Sequence, residues 1–160
     1  MKRVIYNRQK ALQYARHWAL GRNPEYFDFQ TIGGDCTNFV SQCIYAGSGV
    51  MNYAPVSGWF YRSANDRTPS WTGVPYLAQF LTTNSSVGPY GSECTLSQLQ
   101  IGDVVQLGDE SGDYYHSLFV VHAGSLIRVA AHSADALDRP LHSYEYGAVR
   151  CIHIEGVRIW

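Results

Sequence analysis

The sequence predicts an α+β fold, and three observations carry that reading. Helical periodicity occupies the first half of the chain, β-type runs occupy the last third, and the two kinds of segment are not interleaved. Helices first and short-turned strands afterwards give an α+β protein with an antiparallel sheet, not a βαβ array. The length, 160 residues, suits one domain over residues 1–160 with its own core.

The elements follow in order. Residues 5–20 read as an amphipathic helix, because Ala11, Leu12, Ala15, Trp18 and Ala19 share one face. Gly21 and the pair Asn23-Pro24 end it. The aromatic segment EYFDF leads to Thr31-Ile32-Gly33-Gly34, a flexible entry to a second helix. Asp35 is placed to cap that helix, CTNFVSQCIYA forms it, and Gly47 supplies the stop. Residues 48–70, rich in Gly, Ser, Asn, Pro and aromatics, read as a long structured loop. Residues 74–83 form a further helix that tolerates Pro75 in its first turn. Strands are then predicted at 103–107, 115–122, 126–132 and 149–154, separated by turns such as GDESGD and Ala123-Gly124-Ser125.

Composition excludes several function classes. Hydrophobic residues make up 46%, aromatics 14% and charged residues 16%, the opposite of a disordered chain. The formal charge is -1, Lys2 and Lys10 are the only lysines, and no basic block runs along the chain. A nucleic-acid partner held by counterion release needs such a block, so no nucleic acid is expected. No apolar run is long enough to span a membrane, and the opening MKRVIYNRQKALQYARHWAL has no signal-peptide core. The chain as written is therefore expected to be cytoplasmic, or extracellular or at the cell wall if it belongs to a longer exported parent. Cys36, Cys43, Cys94 and Cys151 contain no C-x-x-C pair, and their spacing does not announce a secreted disulfide scaffold.

Cys36 is the residue with the clearest chemical potential. It opens a helix behind a Gly-Gly turn, where unpaired N–H groups and the helix dipole favour a thiolate. The same residue extends the apolar stripe Cys36, Phe39, Val40 and Cys43, so a core role competes with a catalytic one. A nucleophilic thiol needs a base. With a three-residue loop at 123–125, residue 122 pairs with 126, and that register sets His116 opposite His132. One imidazole is then base and the other orients it. Slippage by one residue would destroy this pairing. Zinc is not expected, because Cys36, His116 and His132 are scattered singly and lack close-spaced ligand pairs. The glycines before Cys36 match no phosphate loop, and no cofactor is called for.

GGDCTNFVSQCIYAG, then DYYHSLFVV, then AHSADALDRPL resemble, in order, the bacterial putative amidase domain family. YNRQKALQYA, SWTGVPYLAQFL and GDVVQL extend the resemblance over nearly the whole chain. That family is related to papain-like cysteine peptidases and NlpC-type cell-wall peptidases. The resemblance implies a papain-like fold, Cys36 as nucleophile, His116 as general base and His132 as the residue that orients the base. Cys before His fits that order and argues against permuted lecithin-retinol acyltransferase relatives. Gln30, six residues before Cys36, stands where papain-like enzymes carry an oxyanion glutamine, and the Cys36 N–H is a second donor. Asp35 matches a residue that lines the substrate site in NlpC-type enzymes.

The expected function is a cysteine-dependent amidase or peptidase acting through an acyl-thioester on Cys36, with a peptide or cell-wall peptide as substrate. Asp135 and Asp138 are alternatives to His132. Trp59, Phe60, Tyr61 and Trp71 either wall the cleft or cover the core. The competing readings are a non-catalytic binding module and an acyltransferase or transglutaminase-type enzyme using the same thiol. The oligomeric state has no signature in the sequence.

Overall fold

In the computed structural model, which describes residues 1–160, Lys2–Val4 forms a strand, β1, and the first helix, α1, runs from Arg8 to Trp18. It starts later than the periodicity predicts because Asn7 caps it, accepting the Lys10 N–H at 3.0 Å. The second helix, α2, spans Cys36–Ser48. Its stop is Gly49, left-handed at φ 71°, and not Gly47. Gly47 lies inside the helix, where a Cβ would stand 2.5 Å from the Tyr6 ring and 2.7 Å from the Asn7 carbonyl. It is a close-approach glycine, and its carbonyl accepts the Asn7 N–H at 2.9 Å.

The segment expected to be loop contains a hairpin, β2 (Tyr61–Ser63) with β3 (Asp66–Arg67), and a short helix, α3 (Pro69–Thr72). Next comes α4 (Val74–Thr83), as its periodicity predicts. The remaining strands are β4 (Gly88–Cys94), β5 (Val104–Gly108), β6 (Tyr114–His122), β7 (Arg128–Ala131), β8 (Ala136–Pro140) and β9 (Ala148–Ile159). Besides the β2–β3 hairpin, three strands, β1, β4 and β8, have no counterpart in the sequence reading, and β9 runs well past its predicted end.

Seven strands make one antiparallel sheet in the order β1-β9-β5-β6-β7-β8, with β4 also paired to β9. Arg158 pairs with both Arg3 and Gly88, and Cys151 with both Val105 and Cys94. The long β9 therefore carries β4 along one edge and β5 followed by β1 along the other. Alternation sorts the sheet into two faces. Val104, Phe119, Ala130 and Ile152 join α1, α2 and α4 in a core of 23 buried residues. Val105, Leu118, Val129 and Cys151 belong to a second cluster of 9 on the opposite face. No helix is long and apolar enough to cross a membrane.

The register between β6 and β7 differs from the expected one. Phe119 pairs with Ala130 and His122 with Arg128, with a bulge between them, so the loop is longer than three residues. A slip of one residue moves a side chain to the other face. By the register at Phe119, position 132 lies across from Ser117 and not from His116.

Replacing Gly47 by Ala is expected to destabilise the fold by about 1–3 kcal/mol, although Ala is the better helix former by roughly 1 kcal/mol. The midpoint of urea unfolding checks it, and a raised midpoint would show that Tyr6 yields freely.

Candidate active site

The site is built around the start of α2. Gly33 and Gly34 have φ of 85° and 96°, a left-handed pair that turns the chain into the helix. A Cβ on Gly34 would lie 3.3 Å from the Ser133 hydroxyl, so the turn also needs its bareness there. Asp35 follows, 1% exposed, and its side chain does not cap the helix. Its carboxylate instead gathers the surroundings. Oδ1 accepts the Phe29 N–H at 2.9 Å and the Asn38 amide at 2.8 Å, while Oδ2 lies 2.5 Å from His132 Nδ1 and 3.6 Å from Arg22 Nε. The Asp35 N–H donates to Ser133 Oγ at 3.0 Å. Asp35 is thus a buried anchor, not a residue lining an open substrate site.

His132 is fixed on both sides. Its Nε2 donates to the Trp18 carbonyl at 2.9 Å, its Nδ1 meets Asp35, and its ring stacks on Phe39 at 4.1 Å between centroids. The role expected of it, orienting His116, is therefore corrected: both ring nitrogens are committed elsewhere, and the register sets it beside Ser117. The Trp18 carbonyl sits at the last turn of α1, where the closing carbonyls have no partner within the helix.

Across the helix-facing side of the sheet runs a buried polar row. Thr37 Oγ1 and Ser117 Oγ are 2.9 Å apart, and Gln106 Nε2 donates to Ser117 Oγ at 3.2 Å and to the Val74 carbonyl at 2.8 Å. Arg150 closes the row, donating to Gln106 Oε1 at 2.6 Å and lying over the Tyr114 ring. Thr37, Ser117 and Gln106 are wholly buried. Cys36 stands at the head of this row, 8% exposed, with its sulfur 3.8 Å from Thr37 Oγ1. Burial pushes the Cys36 thiol up, the Ser117 N–H and the Thr37 donors pull it down, and Asp35 adds to the rise. The net direction is upward, against the expectation that the helix start and a histidine would lower it.

His116 is half-buried near the beginning of β6. Its cross-strand partner is Leu107, and its ring is 6.0 Å from that of Tyr144. Burial, and then the charge of Arg139, hold its pKa below the ordinary histidine value. His116 is consequently neutral near pH 7 and can accept a proton. The bonds of the site join Cys36 to β6 through Thr37 and Ser117, the residue next to His116.

The other predicted residues are placed as follows. Gln30 is exposed and its Oε1 accepts from Ser133 Oγ at 3.3 Å, which ties it to the Asp35 turn and leaves its amide nitrogen as a donor. Asp135 pairs with Arg22 at 2.8 Å and Asp138 with Arg16 at 2.9 Å; neither is brought to His116. Trp59, Phe60 and Trp71 are core, at 0%, 6% and 0% exposure, so they do not wall a cleft. Tyr61 is partly buried against that core and its hydroxyl accepts the Phe27 N–H. Cavities of about 280 to 670 Å³ open elsewhere, the largest near Tyr45, Met51 and Trp160, and Cys36 lines none of these. No cluster of three or more His, Cys, Asp or Glu is arranged to hold a metal.

Sequence reasoning missed Thr37, Ser117, Gln106 and Arg150. A signal existed: Gln106 interrupts the apolar run VVQL, and Ser117 interrupts HSLFVV, where a buried strand should be apolar. Ser133 was also missed. It is a non-glycine residue at φ 63° beside the site, a strained position that no sequence pattern flags.

The fold is that of an α+β protein in which Cys36 opens a helix packed on an antiparallel sheet and a buried polar row braces the helix start. Residues 5–154 match the family model described as a putative amidase domain, and the chain belongs to that family. At family level, that description points to hydrolysis of an amide. The chain is 34% identical over 146 residues to the uncharacterized protein YhbB of Bacillus subtilis (strain 168). The match covers 88% of this chain and 45% of YhbB, so the chain spans less than half the length of that relative. No solved structure matches.

Asp35→Ala strands His132 and the Phe29 and Asn38 donors, and is expected to cost about 3–5 kcal/mol of stability. Asp135→Ala, which breaks an exposed pair with Arg22, should cost under about 1 kcal/mol. Chemical denaturation of the two variants side by side checks the contrast, and equal losses would remove Asp35 from its central place.

Proposed function

We propose that the protein is a cysteine-dependent amidase of papain-like architecture, one unit over residues 1–160, that cleaves an amide through Cys36. The observation that supports this best is the bridge between the start of α2 and β6: Thr37 Oγ1, 3.8 Å from the Cys36 sulfur, lies 2.9 Å from Ser117 Oγ, and the residue before Ser117 is His116. The motif order and the family membership agree with that assignment.

Because burial raises the thiol, Cys36 rests protonated, and the proton must leave as the bond forms. His116, kept neutral by burial and Arg139, takes that proton while sulfur attacks the carbonyl carbon. The oxyanion is held by the free N–H groups of the first turn of α2, with the Gln30 amide as a further donor. His116 returns the proton to the leaving nitrogen as the C–N bond breaks. Water then hydrolyses the acyl-thioester. The resemblance of the motifs to NlpC-type enzymes supports a peptide or peptidoglycan stem amide as the substrate class. Asp35 and His132 act as positioning residues that fix the turn carrying Cys36.

A second reading is a binding module of the same fold. The observation favouring it is that Cys36 is nearly buried and lines none of the cavities described above.

Incubation with peptidoglycan stem peptides, followed by amine release and intact-mass analysis, separates the two. An amidase gives turnover and an acyl adduct on Cys36, both lost in Cys36→Ala. His116→Ala should lower kcat by about 10²–10⁴-fold. Binding without amine release by the wild type supports the module instead.

The pH profile is a separate check. His116 must be deprotonated to act, and its pKa is lowered, so activity should rise with pH along a limb centred below about 6.5. No falling limb is expected until well above neutrality. A limb centred above about 7 would contradict His116 as base.

A further inference from the structure

Two thiols outside the candidate site face each other at the border of the sheet. Cys94 ends β4, Cys151 lies near the start of β9, and the two are direct Cα partners in the antiparallel register. Opposed residues in such a ladder have Cα atoms about 4.5–5.5 Å apart and project from the same face. A disulfide needs about 4.4–6.8 Å, so the backbone already holds the required spacing. Both side chains lie on the face away from the helices, Cys151 within the second cluster and Cys94 packed against it.

The pair is also reachable and selective. Cys94 is partly exposed, and both cysteines line a cavity of about 280 Å³ together with Glu93, Tyr114 and Arg150. Cys43 is wholly buried in the other core, and Cys36 sits on the helix side of the sheet. Neither can compete for Cys94.

We propose that Cys94 and Cys151 form a modification site that takes a small-molecule disulfide as oxidant and closes into a cross-strand disulfide. The Cys94 thiolate attacks one sulfur of the reagent, a new S–S bond forms, and one small thiolate leaves. Cys151 then loses its proton and attacks the Cys94 sulfur, expelling the second small thiolate. The protein dithiol loses two electrons and two protons, and the reagent disulfide becomes two thiols.

Cys94 is the entry thiol, because it is the more exposed of the two. Burial pushes Cys151 up to about 12, with Cys94 and Asp103 adding to the rise, so it follows as the resolving thiol. Thiols of high pKa are poor leaving groups, so the closed form resists reduction once made. The consequence is mechanical. The strand β4 is paired along its length only with β9, and the bond fastens its free end there.

The test uses the full chain, first reduced, then held in a glutathione buffer rich in the disulfide form at about pH 8, near the free thiol value. Denaturation with iodoacetamide and peptide mapping follow. The expected product lacks two hydrogens, joins the peptides carrying Cys94 and Cys151, and leaves Cys36 and Cys43 alkylated. Its thermal midpoint should rise by about 10 °C, and the same oxidant should leave the midpoint of Cys94→Ser unmoved. Full alkylation of both thiols, a stable glutathione adduct on Cys94 alone, or a crosslink to Cys36 or Cys43 would overturn the proposal. None of these readouts depends on amidase activity.

Discussion

The structure around the site depends on one buried carboxylate. Taking a charge out of water is expensive unless every lone pair finds a donor. Asp35 meets that demand with three hydrogen-bond partners, the Phe29 N–H ahead of the turn, the Asn38 amide one turn along α2 and the His132 ring after β7, and with the charge of Arg22 after α1 at 3.6 Å. The same contacts that make its burial tolerable fasten four separate stretches of chain together. His132 carries the linkage further, to the last turn of α1 through the Trp18 carbonyl. Cys36, the next residue, inherits a position set by all of them.

Below the helix, the polar row from Thr37 to Arg150 does a related job in the sheet. A hydroxyl both donates and accepts, so Thr37 and Ser117 satisfy each other inside a wholly buried interface. Gln106 then uses its amide nitrogen on Ser117 and Val74 and its oxygen on Arg150. A satisfied network specifies geometry in a way that apolar contacts do not, because shifting any member strands another. It fixes α2 on β6 at one register, and with it the place of Cys36 beside Thr37.

Much of this was legible in the sequence, and the failures have physical causes. Helices α2 and α4 and strands β5 and β6 carry strong periodicity and fall close to their predicted bounds. β4 reads GPYGSEC, with glycine, proline and no apolar alternation, and becomes a strand only because β9 offers it an edge. Gly47 looks like a helix stop, but its missing side chain serves contact with Tyr6. Cys36 and the start of α2 were readable because a Gly-Gly turn before a helical stripe is local information. The partner of His132 was not, since a bulge between Val120 and His122 shifts the register and no local pattern announces it. A one-residue shift was enough to exchange His116 for Ser117 across from His132.

That exchange sets the geometric terms of the proposed chemistry. Alternation sends Ser117 toward α2 and His116 toward the face of Leu107, so a single straight strand cannot present both side chains to one sulfur. Ser117 meets the start of α2 through its hydroxyl, 2.9 Å from Thr37 Oγ1. The imidazole must come round the end of the strand, and there the ladder is already irregular: a register shift falls between Leu107 and Gly108, opposite Tyr114 and His116. Bulges re-aim side chains and occur often beside active sites. The proposed dyad therefore requires the imidazole to come round from the Leu107 face at the last regular pair of the ladder, Leu107 with His116, next to the extra residue Tyr115. The rest of the strand supplies Ser117, Phe119 and Val121 to hold the helix.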